Sequence, residues 1–214
     1  MRNRNTNTIL RGVSILFLLG AFTLTVISLI SYSRQRTGYP AGMMVAGVPV
    51  DGLSPAEASQ RILQVYNSPI EVNYNNAVFH IDPGAVGFTM DIETMLAAAD
   101  LTRTGGSFWG GFWDYLWNRP PTESEIPLSA TISEDRLREF LQNEIASRYD
   151  IPPAPAQPIP GGTTFLPGAP GQTLDINRAV VIITNALRSP ADRSVVLTFN
   201  QTTAARPTNR KSVV

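Results

Sequence analysis

The chain has 214 residues, 43% of them hydrophobic, with 17 Lys+Arg set against 17 Asp+Glu, 17 Pro, 16 Gly, no Cys and one His, His80. A net charge of zero leaves no basic field to collect phosphate backbones, so nucleic acid is not an expected partner. The absence of Cys removes disulfides, thiolate nucleophiles and sulfur-ligated metals, a single imidazole excludes sites that need two, and no cofactor or metal is expected.

In chain order, residues 1–11 carry Arg2, Arg4 and Arg11 and read as a cytoplasmic N-terminus. An uncharged run from Gly12 to Ser33 follows, rich in Leu, Ile, Val and Phe. About 20 such residues cross a ~30 Å hydrocarbon core as a helix. The run is longer than the apolar region of a secretory signal peptide, about 7 to 15 residues, so 12–33 is expected to be an uncleaved transmembrane signal anchor in the cytoplasmic membrane. Arg34 and Arg36 lie beyond it, and the slight excess of arginine before the run gives a single pass with the N-terminus inside. Ser14, Thr23, Thr25 and Ser28 can bond back to their own helix, and Gly20 is a candidate for a close helix contact.

Residues 34–44 are expected to be a linker. Met43 to Val50 reads as a strand entering a turn, punctuated by Asp51-Gly52. Ser54-Pro55-Ala56-Glu57 is a capping box with Pro at the first helical position. The helix it starts should bury Ala58, Ile62, Leu63 and Tyr66. Ile70 to Tyr74 and Val78 to Asp82 form a predicted hairpin turned by Asn75-Asn76. Asp91 then reads as the cap of a helix through Met95, Leu96 and Ala99.

The stretch Pro83 to Ile92 reappears as Pro167 to Ile176 with seven of ten positions identical, at an offset of 167 − 83 = 84 residues. Self-similarity at a fixed spacing marks a duplicated unit. The expected copies are 45–127 and 128–200, each running strand, helix, hairpin, helix, in an α+β body behind the transmembrane helix. In the second copy Leu128 to Ile132 is the entering strand, Ser133 caps a helix with Leu137, Phe140, Leu141 and Ile145 on one face, and Ile151 to Pro160 is a Pro-rich joint. Gly161-Gly162 should turn a hairpin and Thr163 to Leu166 return to the motif. Asp175 caps a last helix whose face is Ile176, Ala179, Val180, Ile183 and Leu187, and Ser194 to Asn200 closes as a strand. Residues 201–214, with Arg206, Pro207, Arg210 and Lys211, read as a polar tail or the start of a linker.

The run Gly47-Val48-Pro49-Val50-Asp51-Gly52-Leu53-Ser54-Pro55-Ala56-Glu57-Ala58, followed by the hairpin, a Gly-x-x-x-Asp step and a further helix, resembles the YoaR-like peptidoglycan-binding domain found upstream of VanW-like and YkuD L,D-transpeptidase domains. The resemblance covers roughly Val45 to Pro207. It implies an exported, membrane-tethered bacterial module acting at the cell wall, with the lipid bilayer and peptidoglycan as partners. YkuD-type transpeptidases need a Cys nucleophile with a nearby His, which this chain lacks, so binding without catalysis is expected. Two alternatives stand beside that reading. One is the N-terminal targeting part of a cell-wall enzyme, VanW-like, L,D-transpeptidase or D,D-carboxypeptidase, with a downstream catalytic domain outside this chain. The other is a structural spacer or protein-interaction stalk that touches no glycan. The residues do not separate glycan strand from stem peptide as ligand.

Asp91 and Asp175 could be paired carboxylates of the kind that flank a sugar bond in glycosidases, but an Asp just before an apolar-periodic run is explained by helix capping. Trp109, Trp113 and Trp117 recur at i, i+4 and i+8 in the densest aromatic stretch, Phe108 to Trp117. Packing between the two copies is the expectation, with a glycan-stacking platform and an element dipping into the membrane surface as alternatives. His80, with Asp82 alone nearby in sequence, reads as a strand residue. Gly161, Gly162, Gly168 and Gly171 read as turns, because the strand-loop-helix pattern of a phosphate loop is missing. Ser14, Ser54 and Ser133 have no His/Asp constellation around them.

Overall fold

A computed structural model describes residues 4–75, 77–159 and 165–204. The fold is mixed helix and strand behind one N-terminal apolar helix, α1 (Arg4–Gln35), of which Leu10–Gln35 is long and apolar enough to cross a membrane. Three of the hydroxyls inside α1 are satisfied within the helix: Ser14, Thr23 and Thr25 donate to the carbonyls of Leu10, Leu19 and Ala21 at 2.9, 2.8 and 2.8 Å. In hydrocarbon no water could do this instead. A Cβ on Gly20 would meet nothing within 4 Å beyond its own helix backbone.

The predicted strand at Met43 to Val50 is two strands. Ala46 and Gly47 both take positive φ, 52° and 71°, which makes the two-residue mirror-image turn that hairpins favour, so β1 (Met43–Val45) folds back on β2 (Val48–Pro49). The capping box forms as expected at α2 (Pro55–Tyr66): the Ser54 amide and hydroxyl donate to Glu57 Oε2 at 2.8 and 2.7 Å. Ala58, Ile62 and Tyr66 are fully buried, while Leu63 is exposed. Next come β3 (Ile70–Tyr74) and β4 (Ala77–Ile81), paired in antiparallel register from Ile70↔Ile81 to Tyr74↔Ala77. Asn75 takes the expected left-handed turn conformation, φ 52°; Asn76 lies outside the described residues.

The first motif leads through a turn into β5 (Thr89–Met90), α3 (Ile92–Thr104) and α4 (Phe108–Leu116). β6 (Ser124–Ile126) was not anticipated, because Ser124 and Glu125 carry no strand signature. It is held as a third strand beside β1. Of the expected strand Leu128 to Ile132 only β7 (Ala130–Thr131) pairs, and it pairs with β5. α5 (Glu134–Phe140) runs on through a π-helical turn, Leu141–Ala146, into α6 (Ser147–Tyr149). Leu137, Leu141 and Ile145 are buried as the periodicity requires.

β8 (Gln157–Pro158) and β9 (Phe165–Leu166) pair antiparallel; the expected Gly161-Gly162 turn between them, with Pro160, Thr163 and Thr164, lies outside the described residues. β10 (Gly171–Leu174) precedes α7 (Ile176–Arg188), whose Ala179, Val180, Ile183 and Leu187 are buried. The single closing strand expected over Ser194 to Asn200 is split into β11 (Ser194–Val196) and β12 (Phe199–Thr202). At the break Leu197 is buried, and its amide donates to the Asn73 carbonyl at 2.8 Å. The expected tail residues Arg206, Pro207, Arg210 and Lys211 lie outside the described residues.

The chain divides into two compact units, each assembled from two separate segments: Met1–Ile62 with Ile92–Leu128, and Leu63–Asp91 with Ser129–Val214. In the first, the sheet has the order β2-β1-β6, with β6 parallel to β1. Tyr39, Met43, Val45, Val50, Ala58, Ile62 and Met95 make its core. The segment expected as a linker is built into this unit: the Tyr39 amide donates to the Leu53 carbonyl at 2.9 Å and the Gly52 amide to the Tyr39 carbonyl at 2.8 Å.

In the second unit β3 is central, with β4 on one side and β11 parallel to it on the other. Arg193 closes the C-terminal end of α2 there: its guanidinium donates to the carbonyls of Ser68 and Val65 at 3.3 and 3.1 Å and lies 5.3 Å from the Tyr66 ring centre. A cation at the carbonyl end of a helix meets groups that have no partner within it. Asp150 Oδ1 accepts both the Tyr74 hydroxyl and the Leu174 amide at 2.9 Å.

The two occurrences of the ten-residue motif end alike and begin differently. Each runs strand, Asp, helix, and each Asp amide donates to the residue just before the strand's antiparallel partner: Asp91 to Ser129 at 3.0 Å, Asp175 to Thr198 at 3.3 Å. Gly87 is needed for its backbone, φ 74°. Gly171 is needed for space, since a Cβ there would stand 2.7 Å from the Pro153 nitrogen.

Two predictions rest on the buried tyrosines and on Asp150. Asp150→Ala leaves the Tyr74 hydroxyl and the Leu174 amide without their acceptor, and at about 1–3 kcal/mol per orphaned donor thermal unfolding of the detergent-solubilised chain should show a loss of about 2–4 kcal/mol. Tyr74→Phe removes one bond and should cost clearly less. Burial raises the pKa of Tyr39, Tyr66 and Tyr74, reinforced by Asp100 at Tyr39 and by Asp150 at Tyr74. Folding therefore favours the neutral phenol, so this stabilisation is complete below the ordinary tyrosine value near 10 and is lost as pH rises through the raised values. In an alkaline titration followed by tyrosinate absorbance, these three should ionise at higher pH in the folded chain than in the unfolded one.

Candidate functional site

Two clefts stand out, one in each unit. The first, of about 650 Å³, opens where α1 ends, and its lining includes Tyr32, Arg36, Arg103, Asp114, Tyr115 and Arg119. Its wall is an aromatic contact between α1 and α4. Residues 108, 111, 112 and 115 fall on one side of a 3.6-residue helix, and that side receives Tyr32: ring centres lie 5.3 Å away at Phe108, 5.7 Å at Phe112 and 5.5 Å at Tyr115. Gly111 lets the two helices meet, because a Cβ there would overlap the Tyr32 hydroxyl. Ser107 caps α4 by accepting the Gly110 amide at 3.0 Å.

Arginines complete this cleft. The Arg36 guanidinium donates to the Gly106 carbonyl at 3.3 Å and lies 5.5 Å from the Phe108 ring centre. Arg103 donates to the Arg36 carbonyl and to Asp100, each at 3.1 Å, and Arg119 pairs with Asp114 at 3.3 Å. Arg36 and Arg103 thus bind the end of α1 to the loop between α3 and α4.

Trp109, Trp113 and Trp117 are 63, 56 and 70% exposed, not packed in a core as the periodicity suggested. The reason is geometric: the row of Phe108 and Phe112 faces α1, and the Trp row follows one residue later, about 100° around the helix. Only Phe112 of the α4 rings is buried. Tyr32, on which the contact depends, went unnoticed in the sequence because it lies inside the apolar run. Its signal was a lone phenol one turn before the flanking Arg36.

The second cleft, of about 750 Å³, is lined by Asn75, Ala77, Arg148, Tyr149, Ile151, Gln172 and Phe199. Tyr149 stacks on Phe79 with centres 5.9 Å apart and planes at 22°. Tyr149 and Phe199 each remain 39% exposed, and Arg148 pairs with Glu144 at 2.6 Å. Ring faces flanked by a guanidinium and a side-chain amide can take a sugar ring and its carboxylate substituents.

Asp175 is a helix cap, its carboxylate accepting the Arg178 amide at 3.1 Å, and Asp91 immediately precedes α3. Ser54 and Ser133 also cap helices, Ser133 accepting the Arg136 amide at 3.4 Å. His80 lies exposed on β4 opposite Glu71. Gly168 has no room for a side chain, since a Cβ would stand 2.5 Å from the Ala154 carbonyl oxygen. Among the described residues no group of three or more His, Cys, Asp or Glu could hold a metal ion. No known family, curated protein or solved structure matches the chain.

Tyr32→Ala removes a side chain that touches three rings, and by the usual cost of an aromatic-to-Ala truncation it should destabilise the first unit by about 3 kcal/mol. Trp113→Ala, at an exposed position, should stay within about 0.5 kcal/mol of the parent. Parallel thermal melts in the same detergent compare them.

Proposed function

We propose that the chain is a membrane-anchored extracytoplasmic module that binds peptidoglycan at the bacterial cell wall and performs no bond chemistry of its own. The observation that carries this is α1. It runs unbroken from apolar helix into a folded body, its last turns held by Tyr32, Arg36 and Arg103. The orientation is N-terminus inside, so that the body is exported.

Duplication is part of the reading. It is supported by the shared strand-Asp-helix step and by the matching amide bonds of Asp91 and Asp175. The second-unit cleft supports a wall ligand, because Tyr149 and Phe199 offer ring faces beside Arg148 and Gln172. A stem-peptide carboxylate would take the place of Glu144 at the Arg148 guanidinium. The chain has no Cys, and among the described residues its one imidazole is exposed on β4 opposite Glu71, which favours binding over a Cys-His acyl transfer.

Protease added outside intact cells should cut the body of the full chain, and detergent-solubilised chain should co-sediment with purified sacculi. Tyr149→Ala should weaken that sedimentation about five- to tenfold, the equivalent of one stacked ring. Cutting without sedimentation would favour the spacer reading. Protection outside, with cutting from the cytosolic side, would reverse the orientation and remove the wall as a partner.

A further inference from the structure

We propose that the exposed face of α4 formed by Trp109, Trp113, Leu116 and Trp117 is seated in the lipid-water interface of the outer leaflet, giving the first unit a second membrane contact beside its anchor. This rests on α1 crossing the bilayer.

The argument begins with depth. Gly12 and Tyr32 are 32 − 12 = 20 helical steps apart, about 30 Å at 1.5 Å per residue, the thickness of the hydrocarbon core. Tyr32 therefore stands where hydrocarbon gives way to headgroups. From Leu10 to Ile27 the side chains of α1 are exposed; cover begins at Ser28 and Leu29 and is complete at Tyr32. Since α4 packs on Tyr32 through Phe108, Phe112 and Tyr115, it lies alongside the last apolar turns of α1.

The chemistry of the free face fits that depth. Three indoles at 63, 56 and 70% exposure and Leu116 at 41% form one continuous strip. On a surface facing water such a strip is costly, whereas indoles are enriched at membrane interfaces, where an apolar ring and a polar N–H are both accommodated. Gly110 and Asp114 occupy the remaining arc of the helix, so its polar side is narrow. Arg36 and Arg119 line the cleft beside the helix, and Arg34 lies in the last turn of α1, so cations stand at phosphate level. A sugar-binding role for the strip would leave its position beside the end of the apolar helix without a reason.

The test uses a property of the sequence: the chain has 3 Trp in all, and they are these. Intrinsic fluorescence therefore reports on this face alone. The full chain is reconstituted into vesicles of phosphatidylcholine and phosphatidylglycerol, some carrying a nitroxide near the headgroup end of an acyl chain. The expected result is emission to the blue of free tryptophan, most of it lost with the nitroxide lipid and little with aqueous iodide. Water-like emission quenched by iodide and not by the nitroxide lipid, in chain that still floats with the vesicles, would overturn the docking while leaving the anchor standing. Failure to float would remove the anchor and this proposal with it. Shielding from iodide only when soluble peptidoglycan fragments are added would reassign the strip to glycan.

Discussion

An apolar helix that ends in a folded body must pass its last turns to a surface able to receive them, and here the rings of Phe108, Phe112 and Tyr115 close around Tyr32 to do so. Packing alone would let α1 rotate; the Arg36 and Arg103 hydrogen bonds fix the rotation by engaging backbone carbonyls at Gly106 and Arg36. Because Gly38 and Tyr39 are buried directly beyond, no slack follows the helix. A Cβ on Gly38 would stand 2.6 Å from the Gly52 carbonyl oxygen, so the chain turns from apolar helix to folded unit within a few residues. Where the helix goes, the first unit goes.

What was legible in the sequence was mostly local. The Ser54/Glu57 box, the Asp175 and Ser133 caps, and the faces of α2, α5 and α7 follow from hydrogen-bond chemistry within four residues and from helical period, and the structure contains them. Pairing across the chain was not legible. β6 is a strand because β1 lies beside it, and the break at Leu197 arises because β11 and β12 join different partners. The clefts follow the same rule. The Trp periodicity was visible, but periodicity gives a stripe and not the side on which it faces, and Tyr32 decides that side.

The repeated motif carries a related lesson. Gly87 and Gly171 occupy the same place in a nearly identical run, yet one answers a left-handed backbone and the other a crowded neighbour. A larger residue would strain the first through its own torsions and the second through collision with Pro153. Identity in sequence here reflects two different physical demands, and it is the strand-Asp-helix portion that has the same form in both places.

The central strand of the second unit binds a partner that is synthesised much later: Val72 faces Val195, a separation of 195 − 72 = 123 residues, and the end of α2 is closed by Arg193. Closing so long a loop precedes any return from the contacts it brings together. In a chain made from its N-terminal end, β3 stands with one flank open until the segment around Arg193 has also been made. Until then the open edge of β3 is a place where a strand from another chain could add.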